Sequence, residues 1–478
     1  MIKDICIVGG GTAGLISALI LKNRFTHLNI KIVKSDKIGI IGVGEGSTEH
    51  WNTFINFCGL NYNEIIKETS ATFKYGILFK DWTKQDYFHN VGEIFTVRYG
   101  QYLPIYAYSV INNLKPNDYT YMSGCEKNKV FFCERPTHQF HFNTFKLNEY
   151  LLKKCEQINI EIIEDEIDDV VLKKNKIDHL VSKNRKYHSD FFIDSTGFKR
   201  LLISKLGASW VSYKDYLPMN EAIAFPTQDT EEYPPYTLAK AMKAGWMWRI
   251  PTQGRWGNGY VFNNNYINAN QAKEECEKYL KQKIKIGKNI KFEAGTLDKV
   301  WAGNCVAVGL SSSFVEPLEA SSIGVTIQQI FMLMHHIINP NEDNIKKYND
   351  DFKNIIENVR DFIVLHYLVN KKDSPFWKNL KLQIPISLKN KLNIWKDRLP
   401  QRDDFRGSYN LFYEANWSII LKELGLVNKK SITKEFKMLN ENLQKHTKKV
   451  TEENIDMLKT SSNWIDHKNF LETLARAR

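Results

Sequence analysis

The chain begins with a strand, a glycine turn and a helix in immediate succession, and few folds accept that order. Asp4-Ile5-Cys6-Ile7-Val8 is an apolar run rich in β-branched residues, as a buried parallel strand requires. It runs straight into Gly9-Gly10-Gly11-Thr12-Ala13-Gly14. From Ala13 to Asn23, the residues Leu15, Ile16, Ala18, Leu19 and Leu21 suit a helix packed on a sheet, and Ile30-Lys31-Ile32-Val33 reads as a second strand. Such a unit builds a parallel sheet with helices on its faces, which places the chain in the α/β class. Gly9 permits the tight turn, Gly11 lets a pyrophosphate approach the backbone, and Gly14 lets the helix pack close to the strand. Thr12 and Ala13 open the helix, whose N-terminus offers free N–H groups and roughly half a positive charge.

One position departs from this pattern. A ribose-binding acid is expected at the end of the second strand, about 20 residues after the glycines. Lys34 stands there, followed by Ser35 and Asp36. Either Asp36 takes over or backbone holds the ribose. Downstream, Gly42-Val43-Gly44-Glu45-Gly46-Ser47 is rich enough in glycine for its backbone to lie against a flat ligand. Phe191-Phe192-Ile193-Asp194 and Cys305-Val306-Ala307-Val308-Gly309 read as two further buried strands, the second ending in glycine.

The 478 residues are enough for a large core, and a 43% hydrophobic fraction describes a folded globular protein. The net charge of +12 is spread over faces where Lys and Arg alternate with Asp and Glu. With no basic block interleaved with aromatics, neither nucleic acid nor membrane is expected as a partner. Seven cysteines without a C-x-x-C pair indicate neither a disulfide framework nor a zinc site. No metal is expected. No apolar run reaches the ~18 residues that span a bilayer, and the first strand begins almost at Met1, so a soluble cytoplasmic protein is expected.

Three blocks outside the glycine turn carry chemistry. Lys74 lies in the apolar run Ala71-Thr72-Phe73-Lys74-Tyr75-Gly76-Ile77-Leu78-Phe79, where a lysine ordinarily snorkels to water. Glu319 lies in Phe314-Val315-Glu316-Pro317-Leu318-Glu319-Ala320-Ser321-Ser322-Ile323, which by itself reads as a helix start with an acid in its first turn. Trp246 and Trp248 alternate in Gly245-Trp246-Met247-Trp248-Arg249-Ile250-Pro251 and share one strand face. Further along are His366-Tyr367, Asp373-Ser374-Pro375-Phe376-Trp377 and Asn416-Trp417-Ser418.

Together these blocks resemble the flavin-dependent tryptophan halogenase family. Phe73, Lys74, Ile77, Phe79 and Trp82 match its F-K-x-x-I-x-F-x-x-W pattern, residues 317–323 its P-L-E-S-T-G-I string, and Trp246 and Trp248 its W-x-W-x-I-P. The resemblance implies an FAD-binding Rossmann-like domain, an inserted mixed β-sheet substrate lobe and a helical C-terminal part. The boundaries drawn are 1–83, 145–210 and 285–340 for the FAD-binding domain, 84–144 and 211–284 for the lobe, and 341–478 for the helical region covering the substrate site. It implies Lys74 and Glu319 as the catalytic pair. FAD would be held by Gly9, Gly11, Thr12, Ala13, Gly14, Lys34, Gly44, Glu45, Gly46, Ser47 and Gly309, with Trp246 and Trp248 as bulk beside the flavin. Halide (chloride, bromide or iodide) would sit on the backbone of Ser321 and Ser322, the latter replacing the family's glycine.

The implied activity uses reduced FAD, supplied by a separate flavin reductase, with oxygen and halide to make hypohalous acid. Lys74 then either hydrogen-bonds that species or becomes an N-halo amine, and a small aromatic substrate attacks the halogen while Glu319 handles the proton. Substrate contacts are expected from His89, Val91, Phe412 and Trp417. The stretch 401–409 lacks the family's full substrate lid, and Val91 stands in place of a stacking phenylalanine, so an indole, phenol or related ring is as compatible as free tryptophan. Two alternatives stand beside this one: a flavin-dependent aromatic monooxygenase of the same fold, and a non-catalytic basic binding protein on a degenerate nucleotide fold. The oligomeric state is left open, a homo-oligomer included.

Overall fold

The computed structural model of the protein describes residues 2–42, 46–90, 102–132 and 139–476. The opening unit forms as the sequence requires. Strand Asp4–Val8 enters helix Thr12–Arg24 and returns as strand Asn29–Lys34. Asp4–Val8 and Asn29–Lys34 sit inside a six-stranded sheet in the order Trp301–Ala302, Cys305–Ala307, Phe191–Asp194, Asp4–Val8, Asn29–Lys34, Glu161–Glu164. All neighbours are parallel except the Trp301–Ala302 edge. The central strands are buried, which accounts for their unbroken apolar runs.

A second sheet of seven strands runs Lys288–Lys291, Glu221–Gln228, Arg255–Phe262, Gly245–Thr252, Tyr236–Met242, Gly76–Lys80, Tyr87–Asn90. It is antiparallel except where Gly76–Lys80 pairs with Tyr236–Met242. By hydrogen bonding, residues 76–80 and 288–291 thus stand in this sheet, although the division drawn from sequence puts both in the nucleotide unit. Immediately before Gly76–Lys80, strand Thr72–Lys74 pairs antiparallel with Gln139–His141, setting Lys74 opposite Gln139. Helices Ser321–His336 and Glu342–His366 carry the chain from the first sheet into the helical C-terminal part. Among the described residues, no helix is long and apolar enough to cross a membrane.

The last segment does more than cover surface. Strand Trp464–Asp466 pairs with Lys129–Phe131, and helix His467–Arg476 follows. The His467 ring is buried. Its Nε2 accepts the Phe73 N–H at 2.9 Å, while its Nδ1 donates to the Tyr233 carbonyl at 2.5 Å. Burial lowers this histidine to about 4, so the ring is neutral and both bonds stand at physiological pH. Phe73, stacked against both the His467 and Phe470 rings, is the residue next to Lys74. His467→Ala orphans two buried backbone groups, and each costs about 1–3 kcal/mol. The urea midpoint should fall by a matching amount while Lys468→Ala, on the exposed side, leaves it in place; an unchanged midpoint in His467→Ala would show that the tail does not anchor this strand.

Candidate active site

Parallel sheets bind ligands at the carboxyl ends of their strands. A cleft of about 760 Å³ lies there, lined by Gly9, Gly11, Thr12, Ala13, Lys34, Gly309 and Ser322 among others. A larger hollow, about 1820 Å³, sits at the opposite ends of the same strands, beside Ile2, Leu28 and Asp190, and carries none of the motif residues. The glycine turn fits a pyrophosphate. Gly9 has φ +114°, and a Cβ there would meet the Ser195 carbonyl at 2.2 Å. A Cβ on Gly11 would meet nothing within 4 Å, so open space faces the helix N-terminus, which has no side-chain cap. Gly14 stands behind the cleft, packed on the Gly9 carbonyl.

Lys34 is answered from a neighbouring strand. Its Nζ pairs with Asp36 and, at 3.1 Å, with Glu164, whose second oxygen accepts the Asp36 N–H at 2.7 Å. Two carboxylates, of Asp36 and Glu164, thus meet Lys34 at the end of the second strand, and of these Asp36 lines the cleft. No sequence signal marks Glu164, because its place depends on the parallel pairing of Asn29–Lys34 with Glu161–Glu164.

The second site is fully interior. Lys74 is 0% exposed, and its ammonium donates to the Ser47 carbonyl at 2.9 Å. Ser47 is itself fixed: its N–H donates to the Phe140 carbonyl and its hydroxyl accepts the Phe140 N–H, both at 2.9 Å. Gly46 brings its backbone against the lysine, since a Cβ there would stand 3.6 Å from Lys74 Nζ and 3.3 Å from the Ala320 Cβ. Burial lowers the ammonium from 10.5 to about 8, and the Glu319 carboxylate opposes that fall. The two functional groups, 245 positions apart in the chain by number, therefore act on each other's charge.

Glu319 is 1% exposed and gripped by two histidines. His89 Nδ1 lies 3.0 and 2.9 Å from its two oxygens, and His366 Nε2 lies 3.0 Å from Oε1. Burial pushes the carboxyl up; the two imidazoles overcome it and hold Glu319 below the usual carboxylate range. His89, expected at the substrate, thus bonds to the carboxylate. Glu319 closes a 3-10 turn, Ala320 follows at φ +52°, and helix Ser321–His336 then begins without a side-chain cap. Ser321 is buried and Ser322 exposed to the nucleotide cleft, so four consecutive residues join the interior to the cofactor side. A left-handed alanine costs about 1–2 kcal/mol, and it turns the backbone between the two sites.

Three residues before Glu319, Glu316 is also buried, and burial raises its carboxyl to about 7. Tyr367 OH donates to it, as does Trp246 Nε1 at 3.3 Å. Trp246 and Trp248 lie with ring centroids 6.1 Å apart, against Glu316 and Gly259 and not among the residues lining the cleft. Trp417 is wholly buried against Phe362, Trp395 and Phe405, and Phe412 stacks on Phe362 at 4.1 Å. Gly44, Glu45 and Val91 lie outside the described residues.

A cofactor cleft at the carboxyl edge of a parallel sheet, with a separate buried lysine–glutamate site behind it, defines an α/β enzyme of the dinucleotide-binding class. The chain belongs to the tryptophan halogenase family, whose model matches residues 4–437. It is 30% identical to the tryptophan 6-halogenase SttH of Streptomyces toxytricini, over 88% of this chain and 89% of that one. It is 29% identical to the 7-chloro-L-tryptophan 6-halogenase KtzR of Kutzneria sp. (strain 744), over 88% and 90%. The solved structure of a flavin-dependent halogenase from Xanthomonas campestris superposes with a TM-score of 0.87 at 27% identity, covering 100% of this chain and 99% of that one. The protein is a flavin-dependent halogenase, an oxidoreductase, and membership implies FAD and halide acting on an aromatic substrate. The monooxygenase and binding-protein alternatives are not favoured.

The electrostatic link between the two buried groups can be measured directly. Lys74 should titrate near 8 when followed by NMR after isotopic labelling of lysine ε-carbons. In Glu319→Gln its midpoint should fall further, because the opposing carboxylate is gone; an unmoved midpoint would mean that the two groups do not share a site.

Proposed function

We propose that Lys74 and Glu319 form the halogenation site and that the substrate is an electron-rich ring other than free tryptophan. The observation that carries this reading is the burial of an ammonium and an ionised carboxylate together, with two histidines and the Ser47 carbonyl fixing their directions. When bound in the cleft in its reduced form, FAD supplies the oxidation of halide by oxygen to hypohalous acid. Gly9, Gly11, Thr12, Ala13 and Gly309 would hold it, and Lys34 with Asp36 would close the ribose end. The backbone N–H groups of Ser321 and Ser322, at an uncapped helix N-terminus, hold the halide.

Ser47 is the one protein acceptor for Lys74 among the described residues. An ammonium has three donors, so two remain for the oxidised halogen. The Lys74 ammonium donates to hypohalous acid and orients its halogen toward the ring. Packing decides which ring carbon faces the lysine and hence which position is modified. Glu319 stabilises the cationic ring and takes its proton. The buried Trp246, pinned by Glu316, walls this interior.

Two features speak against free tryptophan. Trp417 is enclosed by protein rings, and Asp404, in the stretch where the family's lid is expected, is engaged by Arg398, Trp395 and the Gln401 N–H. Neither offers itself to an amino-acid end. An indole, phenol or related aryl compound is the substrate class, and a separate flavin reductase supplies the reduced cofactor. A screen of such rings with a reductase, FAD and each halide, read by mass spectrometry, should give halide-dependent products. Lys74→Ala should abolish them while FAD binding is kept, and Glu319→Gln should slow them by about 10²–10⁴-fold. Oxygenated products indifferent to bromide, or halogenation surviving in Lys74→Ala, would overturn the assignment.

A further inference from the structure

We infer that His366 is a positioning residue for Glu319, an imidazolium that fixes this carboxylate as the proton acceptor of the reaction. The inference rests on the reading of Glu319 given above and comes from counting protons through the hydrogen-bond network. Asn416 Oδ1 accepts the Tyr413 N–H at 3.1 Å, which leaves its Nδ2 as the donor toward His89 Nε2 at 3.3 Å. His89 Nε2 is therefore an acceptor, its proton sits on Nδ1, and that proton points at Glu319. The His89 ring is satisfied as a neutral group.

His366 is different. Its Nδ1 lies 2.8 Å from the Phe362 carbonyl, which can only accept, so Nδ1 carries a proton. A neutral ring would then turn the Nε2 lone pair on Glu319 Oε1 at 3.0 Å, two acceptors facing each other in a buried site. The contact is not aligned as a hydrogen bond, and Nε2 has no other partner among the described residues. One further proton must occupy this pair. The surroundings place it on the ring. Glu319 faces Lys74 from strand Thr72–Lys74, His89 and Tyr87 from strand Tyr87–Asn90, and His366 from helix Glu342–His366. His366 is otherwise packed against the Phe79 and Phe362 rings. An ammonium and an N–H donor aimed at Glu319 favour its ionised form, so the imidazolium is the partner.

The consequence is chemical. When the halogenated ring loses its proton, the C–H electron pair returns to the ring and the proton passes to a Glu319 oxygen. His366 holds that carboxylate unprotonated beforehand, against the effect of burial. Without His366, Glu319 protonates at a higher pH, and the acid limb of the rate profile moves up with it.

The test compares wild type with His366→Phe, which keeps a ring but no donor, and His366→Gln, which keeps a donor but no charge. The acid limb of halogenation should rise by about one pH unit or more in the Phe variant and by less in the Gln variant, with the loss in kcat and little change in KM. Infrared difference spectra on ¹³C-glutamate-labelled protein, with Glu319→Gln to assign the band, should show the protonated carboxyl appearing at correspondingly higher pH. Unmoved spectra in both variants would overturn the role of His366. Spectra that shift while the rate profile does not would uphold His366 and remove Glu319 from proton transfer.

Discussion

An ammonium and a carboxylate buried in one interior, the carboxylate helping to keep the ammonium charged, are the pair around which the rest of this molecule is arranged. Removing either ion from water costs several kcal/mol even after relaxation. Their attraction alone would not hold both, so each has further support. Lys74 has the Ser47 carbonyl, and Glu319 has His89 and His366. These partners come from a loop, a strand and a helix end that the fold must each bring to about 3 Å from the lysine or from the glutamate. The buried tail histidine serves the same end by fixing the residue beside the lysine.

Two short segments connect this interior to the cofactor cleft. Residues 38–42 line the cleft, and Gly46 and Ser47 meet the lysine. Glu316 to Ser322 does the same on the other side: Glu316 pins Trp246, Glu319 faces the histidines, Ala320 turns the backbone at positive φ, and Ser322 reaches the cleft. The cleft and the buried lysine–glutamate site are thus held apart by protein and joined by backbone. That separation suits a halogenase, where the substrate must stay away from the cofactor while the oxidised halogen must reach it.

Much of this was legible in the residues. The opening unit could be read because its signals are local: an apolar run, a glycine turn and a helical period, each within a few positions. Lys74, Glu319 and the tryptophan pair were legible through their resemblance to family strings, although nothing in the spacing could say that lysine and glutamate converge. What could not be read depends on tertiary pairing. Glu164 reaches Lys34 because two strands far apart in the chain lie side by side. His89 was expected at the substrate, and a 3-10 turn 230 residues downstream brings Glu319 to its Nδ1. Trp417 matched a substrate residue in sequence and is enclosed in the structure, because the aromatic residues that cover it come from separate helices and loops.

The most direct measurement is a crystal structure with a converted substrate bound, read together with the position halogenated in its product. The account predicts that this ring carbon lies within reach of both Lys74 Nζ and the Glu319 carboxylate, walled from the flavin by Trp246. A substrate lodged in another cavity, or a modified carbon turned away from both groups, would contradict it.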